Sequence, residues 1–170
     1  RHCASFKDAH NYLTTCPSIE GNWSPRIYLN SSGFDPSLFH DNGRKWLLNM
    51  VWDHRPGKNP FGGIYIQEYD HSTRALKGPV TNIFEGTSQG LTEAPHIYKR
   101  NGYYYLVTAE GGTEYEHCMV FARSRAITGP YEVDPHGYFL TSKDDPELPL
   151  QRSGHGDIVE TAEGDTYVVH

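Results

Sequence analysis

Three similar hairpins follow one another along this 170-residue chain, and their repetition restricts the fold more than any other feature. Each hairpin opens on a strand headed by an acidic residue, Asp35, Glu93 or Asp157. A short turn that contains glycine follows, and a strand of aromatic and branched residues returns. The heads lie 58 and 64 residues apart. A unit of that length has room for about four short strands.

A repeat of about 60 residues with four strands per unit is typical of a β-propeller blade. The alternative is a β-sandwich whose hairpins resemble one another by coincidence. We therefore predict an all-β chain whose residues 1–170 belong to a single propeller domain, with blades starting near residues 35, 93 and 157. The unit that ends before Asp35 lacks its acid-headed strand, and the unit that starts at Asp157 lacks its outer strands. Because an open arc leaves strand edges unpaired, we expect about three blades of a longer polypeptide, truncated at both ends.

Composition favours the same fold class and excludes several functions. The 12 tyrosines, 17 glycines and 11 prolines suit short strands separated by turns. With 15 basic and 21 acidic residues, the chain is not expected to bind nucleic acid. No apolar run is long enough to span a membrane. We expect a soluble protein, secreted or cytoplasmic, and oligomeric state is left open.

Several local predictions can be compared directly with a structure. Strands are expected at residues 10–15, 26–29, 64–70, 79–84 and 118–123. Residues 54–63 and 140–152 are expected to form loops, since proline and glycine crowd the first of them. The spacing of Cys3, Cys16 and Cys118 predicts free thiols rather than a disulfide framework or a zinc site.

The propeller prediction has a consequence for the acidic heads. The innermost strands of a propeller line its central channel, so their heads meet at one mouth. Asp35, Glu93 and Asp157 are therefore expected to converge, although they are far apart in sequence. Convergent carboxylates are what glycoside hydrolysis requires.

Five segments together resemble family 43 glycoside hydrolases, in the branch of β-xylosidases that includes α-L-arabinofuranosidases. These segments are residues 30–41, 52–55, 90–99, 108–113 and 154–157, and the resemblance covers essentially the whole chain. It implies a five-bladed β-propeller. It also implies an inverting, exo-acting glycosidase of xylan degradation that releases xylose, or arabinose, from xylo-oligosaccharides. The alternative is a carbohydrate-binding propeller without catalysis.

The resemblance also implies roles for particular residues. Glu93 matches the general acid, and Asp35 matches the carboxylate that tunes the pKa of that acid. The general base belongs to a strand before Arg1, so residues 1–170 alone are expected to be inactive. Like charge and desolvation both raise a glutamate's pKa, as an acid catalyst needs near neutral pH.

Four further residues are candidates for contact with the substrate. Trp52 is expected to stack on a sugar face, and Phe34 and Phe61 are weaker candidates for the same role. By the resemblance, His155 lies beside the site, where the family holds water or, in some members, calcium. We expect no required cofactor and no metal centre elsewhere, with calcium at the propeller axis left open. Asp157 is expected to be structural support rather than a further catalytic acid.

Overall fold

The computed structural model describes residues 9–170, which contain twelve β-strands and no helix. The strands run in short antiparallel hairpins, as the turn-rich sequence predicts. Their bounds are β1 Asn11–Leu13, β2 Ile27–Asn30, β3 Gly33–Asp41, β4 Arg44–Trp52, β5 Phe61–Asp70, β6 Ala75–Phe84, β7 Glu93–Arg100, β8 Tyr103–Glu110, β9 Cys118–Ser124, β10 Glu132–Thr141, β11 Asp157–Glu160 and β12 Thr166–Val169.

The strands form two complete blades and two hairpins. Strands β3, β4, β5 and β6 make one four-stranded antiparallel sheet in that order, which we call the first complete blade. Strands β7, β8, β9 and β10 make the second complete blade in the same way. The pairs β1–β2 and β11–β12 form two-stranded sheets on either side in sequence. The prediction of four strands per repeat is thus confirmed, and the alternative of a β-sandwich is wrong.

Turn chemistry fixes the register of the two inner hairpins. In the first complete blade, Asn42 and Gly43 adopt φ angles of 47° and 78°. In the second, Asn101 and Gly102 adopt 51° and 76°. Two consecutive positive φ angles characterise the type I′ turn, which matches the right-handed twist of the strands that it joins. These turns were predicted correctly because their cause is local.

The hydrophobic core lies between the two complete blades. Strand β4 buries five consecutive residues, from Trp46 to Met50, and strand β8 buries five from Leu106 to Glu110. Continuous burial means that both faces of these strands are covered, unlike a strand with one face in water. One cluster joins both sheets: Trp46, Leu48, Met50, Ile64, Ile66, Ile83 and Phe84 from the first, and Ile97, Leu106 and Ala122 from the second.

The inner strands of successive units are joined by side chains rather than by a backbone ladder. The Ser37 hydroxyl on β3 donates to the Pro95 carbonyl on β7. The Tyr98 hydroxyl on β7 donates to Asp157 on β11 and accepts the Ile158 amide at 2.9 Å. Strands β3, β7 and β11 therefore follow one another around a common axis, which is the radial arrangement of a propeller arc.

Three local predictions need correction or fall outside the described residues. The expected loop at 54–63 ends early, because Phe61 pairs with Trp52 and begins β5. The expected loop at 140–152 begins late, because Thr141 still pairs with Cys118. Cys16 and Cys118 are free thiols as predicted, whereas Cys3 lies outside the described residues.

No part of residues 9–170 forms a helix of the length and apolarity that crossing a membrane requires.

Candidate active site

The heads of the inner strands share an unusual backbone conformation. Asp35, Ala94 and His155 adopt φ angles of 52°, 50° and 49°, in the left-handed region that non-glycine residues rarely occupy. Each precedes a proline or a glycine. The ladder is irregular between Phe34 and Ser37 in β3, and between Glu93 and His96 in β7. A β-bulge of this kind redirects side chains at the end of a strand.

This conformation corrects the alignment of the repeats. Asp35 is structurally equivalent to Ala94 and His155, because each is a left-handed residue two positions before strand pairing resumes. Glu93 is therefore one position earlier in the repeat than Asp35, and the true offset is 59 residues rather than 58. Asp157 follows its left-handed residue by two positions, so it corresponds to Ser37 and His96.

The bulges bring together two carboxyl groups and one imidazole. One ligand atom each from Asp35, Glu93 and His155 lies within 4.8 Å of the others. The His155 Nδ1 is 4.0 Å from Glu93 Oε1, and the Ala94 amide donates to Asp35 Oδ2 at 3.2 Å. The Glu93 side chain is 12% exposed and that of His155 is 48% exposed. The acid is thus largely shielded, while the imidazole faces the solvent.

The expected convergence is right for two of the three acids. Asp157 is not a member of the cluster found among the described residues. Its carboxylate accepts the Tyr98 hydroxyl and lies 3.8 Å from His96 Nδ1. The equivalence with Ser37 explains this placement, because both residues fasten an inner strand to its neighbour. The interpretation of Asp157 as structural support agrees with these contacts.

Both carboxyl groups of the cluster have raised pKa values. Burial raises the pKa of Glu93 most, and the nearby Asp35 carboxylate raises it further, while His155 opposes the shift. Burial also raises the pKa of Asp35, but His155, the Ala94 amide and His96 all favour its anion. More groups therefore favour the ionised form of Asp35 than favour the ionised form of Glu93.

The three predicted aromatic residues form one group beside Asp35. The ring centroids of Trp52 and Phe61 are 5.4 Å apart, those of Phe34 and Trp52 are 5.9 Å apart, and those of Phe34 and Phe61 are 6.4 Å apart. All three are partly buried and pack against the core between the blades. The packing explains their orientation, and their partial exposure leaves ring surface at the head of β3.

Two buried residues near the site were not singled out from the sequence. Glu110, at the end of β8, is fully buried and accepts hydrogen bonds from the Thr87 amide, the Thr87 hydroxyl and the Thr92 hydroxyl. Thr92 directly precedes Glu93, so Glu110 fixes the segment that leads into the acid. His117 is 5% exposed, and its ring centroid is 6.4 Å from that of His155. Only their burial, which a single sequence does not reveal, marks them.

The comparisons with known proteins agree with this fold. The profile described as Glycosyl hydrolases family 43 matches residues 2–170. "Xylosidase/arabinosidase 43B" of Humicola insolens is 62% identical over 100% of this chain and 32% of that protein. "Beta-xylosidase" of Bacillus subtilis (strain 168) is 57% identical over 98% of this chain and 31% of that protein.

A solved structure gives the same result in three dimensions. The crystal structure of xylan beta-1,4-xylosidase from Bacillus halodurans C-125 superposes with a TM-score of 0.91 at 61% identity, covering 94% of this chain and 31% of that one. Fold and site together define a β-propeller with paired carboxyl groups at its mouth. The chain belongs to glycoside hydrolase family 43. It spans about a third of the length of these relatives and is an unclosed arc of the propeller.

Proposed function

We propose that the whole protein is an inverting, exo-acting glycosidase that releases xylose, and secondarily arabinose, from xylo-oligosaccharides. The observation that carries this proposal is the shielded Glu93 carboxyl group beside Asp35 at the propeller mouth. Relatives named as a xylosidase/arabinosidase and a β-xylosidase support the substrate class.

Glu93 is the proposed general acid. Cleavage of a glycosidic bond leaves negative charge on the departing oxygen, and a positioned carboxylic acid removes that charge by giving its proton as the bond breaks. The acid must hold its proton near neutral pH. Burial and the adjacent Asp35 both raise the pKa of Glu93, which suits this requirement.

Asp35 is the proposed tuning carboxylate. Burial raises its pKa, but the Ala94 amide, which donates to Oδ2, and the nearby His155 and His96 favour the anion. Its negative charge then opposes loss of the Glu93 proton. Ala94 directly follows Glu93, so the same hydrogen bond holds Asp35 against the backbone of the acid.

The remaining part of the reaction follows from the family resemblance. A general base activates a water molecule on the opposite face of the sugar ring, which inverts the anomeric configuration. We propose that this base lies outside residues 1–170, on a strand before Arg1. In inverting enzymes the acid and base carboxyl groups are about 6.5–9.5 Å apart, which leaves room for the water.

The aromatic group and His155 are the proposed contacts of the bound sugar. Trp52, supported by Phe34 and Phe61, presents ring surface beside Asp35, and aromatic faces suit the apolar C–H faces of pyranose rings. His155 reaches the cluster from the next unit with an exposed imidazole. A divalent cation would find one ligand atom each on Asp35, Glu93 and His155. Calcium prefers six to eight oxygen ligands, so water would have to supply most of them, and the proposed reaction needs no metal.

The experiment that tests the assignment is Glu93→Gln in the whole protein, with xylobiose and 4-nitrophenyl β-D-xyloside as substrates. Loss of general acid catalysis lowers kcat for xylobiose by about 10²–10⁴-fold. The loss for nitrophenyl xyloside is smaller, because nitrophenolate leaves without a proton. Glu163→Gln, in the exposed turn between β11 and β12, is the matched control and leaves both rates unchanged.

Two results would count against the proposal. A Glu93→Gln variant whose xylobiose rate stays within about tenfold of the parent shows that Glu93 is not the acid. A whole protein that binds xylo-oligosaccharides but hydrolyses neither substrate supports the carbohydrate-binding alternative instead.

A further inference from the structure

The buried ring of His117 lies directly against the backbone of Gly154. A methyl group placed on Gly154 would be 2.6 Å from Nε2 and 2.7 Å from Cγ of that ring, closer than real Cβ atoms approach other atoms. Gly154 does not have a positive φ angle, so its backbone conformation is open to alanine. The His117 ring thus occupies the space that a side chain at residue 154 would need.

The segment held by this contact carries His155. On its far side, Gly156 is packed as tightly: a methyl group there would be 2.7 Å from Met119 Sδ and 2.6 Å from the Val169 carbonyl oxygen. His155 stands between these two close contacts in a left-handed conformation with φ of 49°. Such a conformation persists only where the surroundings enforce it. The glycine contacts on both sides supply that enforcement.

His117 is itself anchored within the second complete blade. Its amide donates to the Glu114 carbonyl at 3.1 Å, and its carbonyl accepts the Thr141 hydroxyl at 2.8 Å. The backbone carbonyl groups of Glu110 and Gly112 lie near its buried ring.

We propose that His117 is a positioning residue of the active site, whose ring sets the place of the Gly154 backbone and thereby the approach of the His155 imidazole to Glu93. This inference rests on the proposed glycosidase function. The contact passes through the Gly154 backbone rather than through ring stacking, since the two imidazole planes are inclined by 46° with centroids 6.4 Å apart. His117 does not touch the substrate.

The test is a set of variants on the two sides of the contact, made in the whole protein and assayed for kcat and KM on xylobiose. Gly154→Ala displaces the His155 segment and lowers kcat by about 10- to 100-fold, as expected for a misplaced group at an active site. In the double variant Gly154→Ala with His117→Ala, the methyl group occupies the space of the missing ring. That variant recovers to within about threefold of His117→Ala alone, so the two substitutions are strongly non-additive.

A second background separates positioning from general damage. With His155→Ala, adding Gly154→Ala changes kcat by less than about twofold, because its effect passes through the missing imidazole. Thermal unfolding of each variant identifies any that does not fold. Should His117→Ala fail to fold, the smaller change His117→Asn replaces it in the same comparison.

The outcomes distinguish this inference from the proposed function. If the parent is active and Glu93→Gln is not, but Gly154→Ala retains full kcat, the positioning role is refuted and the glycosidase assignment survives. Additive losses in the double variant also refute it. If the parent is inactive, the proposed function fails. The crystal structure of Gly154→Ala then decides the inference, which requires a displaced His155 and is overturned by an unmoved one.

Discussion

If the proposed glycosidase function is correct, the charge of Asp35 controls its pH dependence through Glu93. Asp35→Asn removes the charge and keeps an oxygen that can accept the Ala94 amide. The two carboxylates lie within 4.8 Å of each other, and two unit charges at that limit interact by roughly 1 kcal/mol in water and roughly 3.5 kcal/mol at an effective dielectric constant of about 20. Because Asp35 is only partly buried, screening by solvent places the effect in the lower part of that range.

The sign of the effect follows from the proposed role of Glu93 as the general acid. The acid works when protonated, so activity is present at low pH and falls as pH rises through the pKa of Glu93. Asp35 raises that pKa, so Asp35→Asn lowers it and moves the alkaline limb of kcat/KM to lower pH. At pH values above the pKa of Glu93, kcat/KM of Asp35→Asn is about 5- to 50-fold lower than that of the parent. This range follows from the interaction energies given above, since about 1.4 kcal/mol corresponds to a tenfold change.

The measurement is kcat/KM for xylobiose between about pH 4 and pH 9 in the whole protein, across the range where a raised glutamate pKa falls. The loss in Asp35→Asn shrinks as pH falls, because Glu93 is then protonated with or without its neighbour. Asp41→Asn is the matched control: it lies at the opposite end of β3, where Lys99 and Tyr104 bind it, and leaves the pH limb in place. A loss of equal size at every pH would refute the electrostatic reasoning.

Three further substitutions test the supports of the site. Glu110→Gln replaces a buried acceptor of several hydrogen bonds and lowers thermal stability by about 2–5 kcal/mol, whereas Glu114→Gln on the surface changes it by less than about 1 kcal/mol. Leu48→Ala, fully buried between the blades, costs about 2–5 kcal/mol in denaturant unfolding; Leu150→Ala, 68% exposed, is nearly neutral. Trp52→Ala raises KM for xylobiose by about 3- to 10-fold and Trp52→Phe by less, and equal KM values for both would contradict ring stacking.

The sequence predicted the blades because their causes are local. The Asn42-Gly43 and Asn101-Gly102 turns require positive φ angles that these residues adopt readily, and the strands between them alternate or run apolar according to their burial. The conformation of the strand heads was harder to predict. The left-handed conformation of Asp35, Ala94 and His155 falls on residues that do not usually adopt it, so their equivalence could not be seen. Aligning acid with acid therefore shifted the repeat by one residue and placed Asp157 at the mouth.

Residues that act through burial were also invisible to the sequence. Glu110 lies within the segment 108–113 that carries the family resemblance, but it accepts hydrogen bonds from Thr87 and Thr92 only when the segment before β7 meets the end of β8. His117 likewise depends on a contact with Gly154, 37 residues further along the chain. Residues that act through distant partners can be found only from coordinates, whereas Glu93 could be proposed from a recognisable segment.

At the strand heads, the backbone conformation that places the proposed site residues lowers the folding stability. A left-handed residue that is not glycine costs about 1–3 kcal/mol, and both Asp35 and His155 occupy that region. Glycine would relieve the strain at either position but would remove a carboxylate or an imidazole from the mouth. A search for thermostable variants of this protein should therefore find glycine at 35 and 155 attractive by melting temperature alone, and selecting for it would erode the active site.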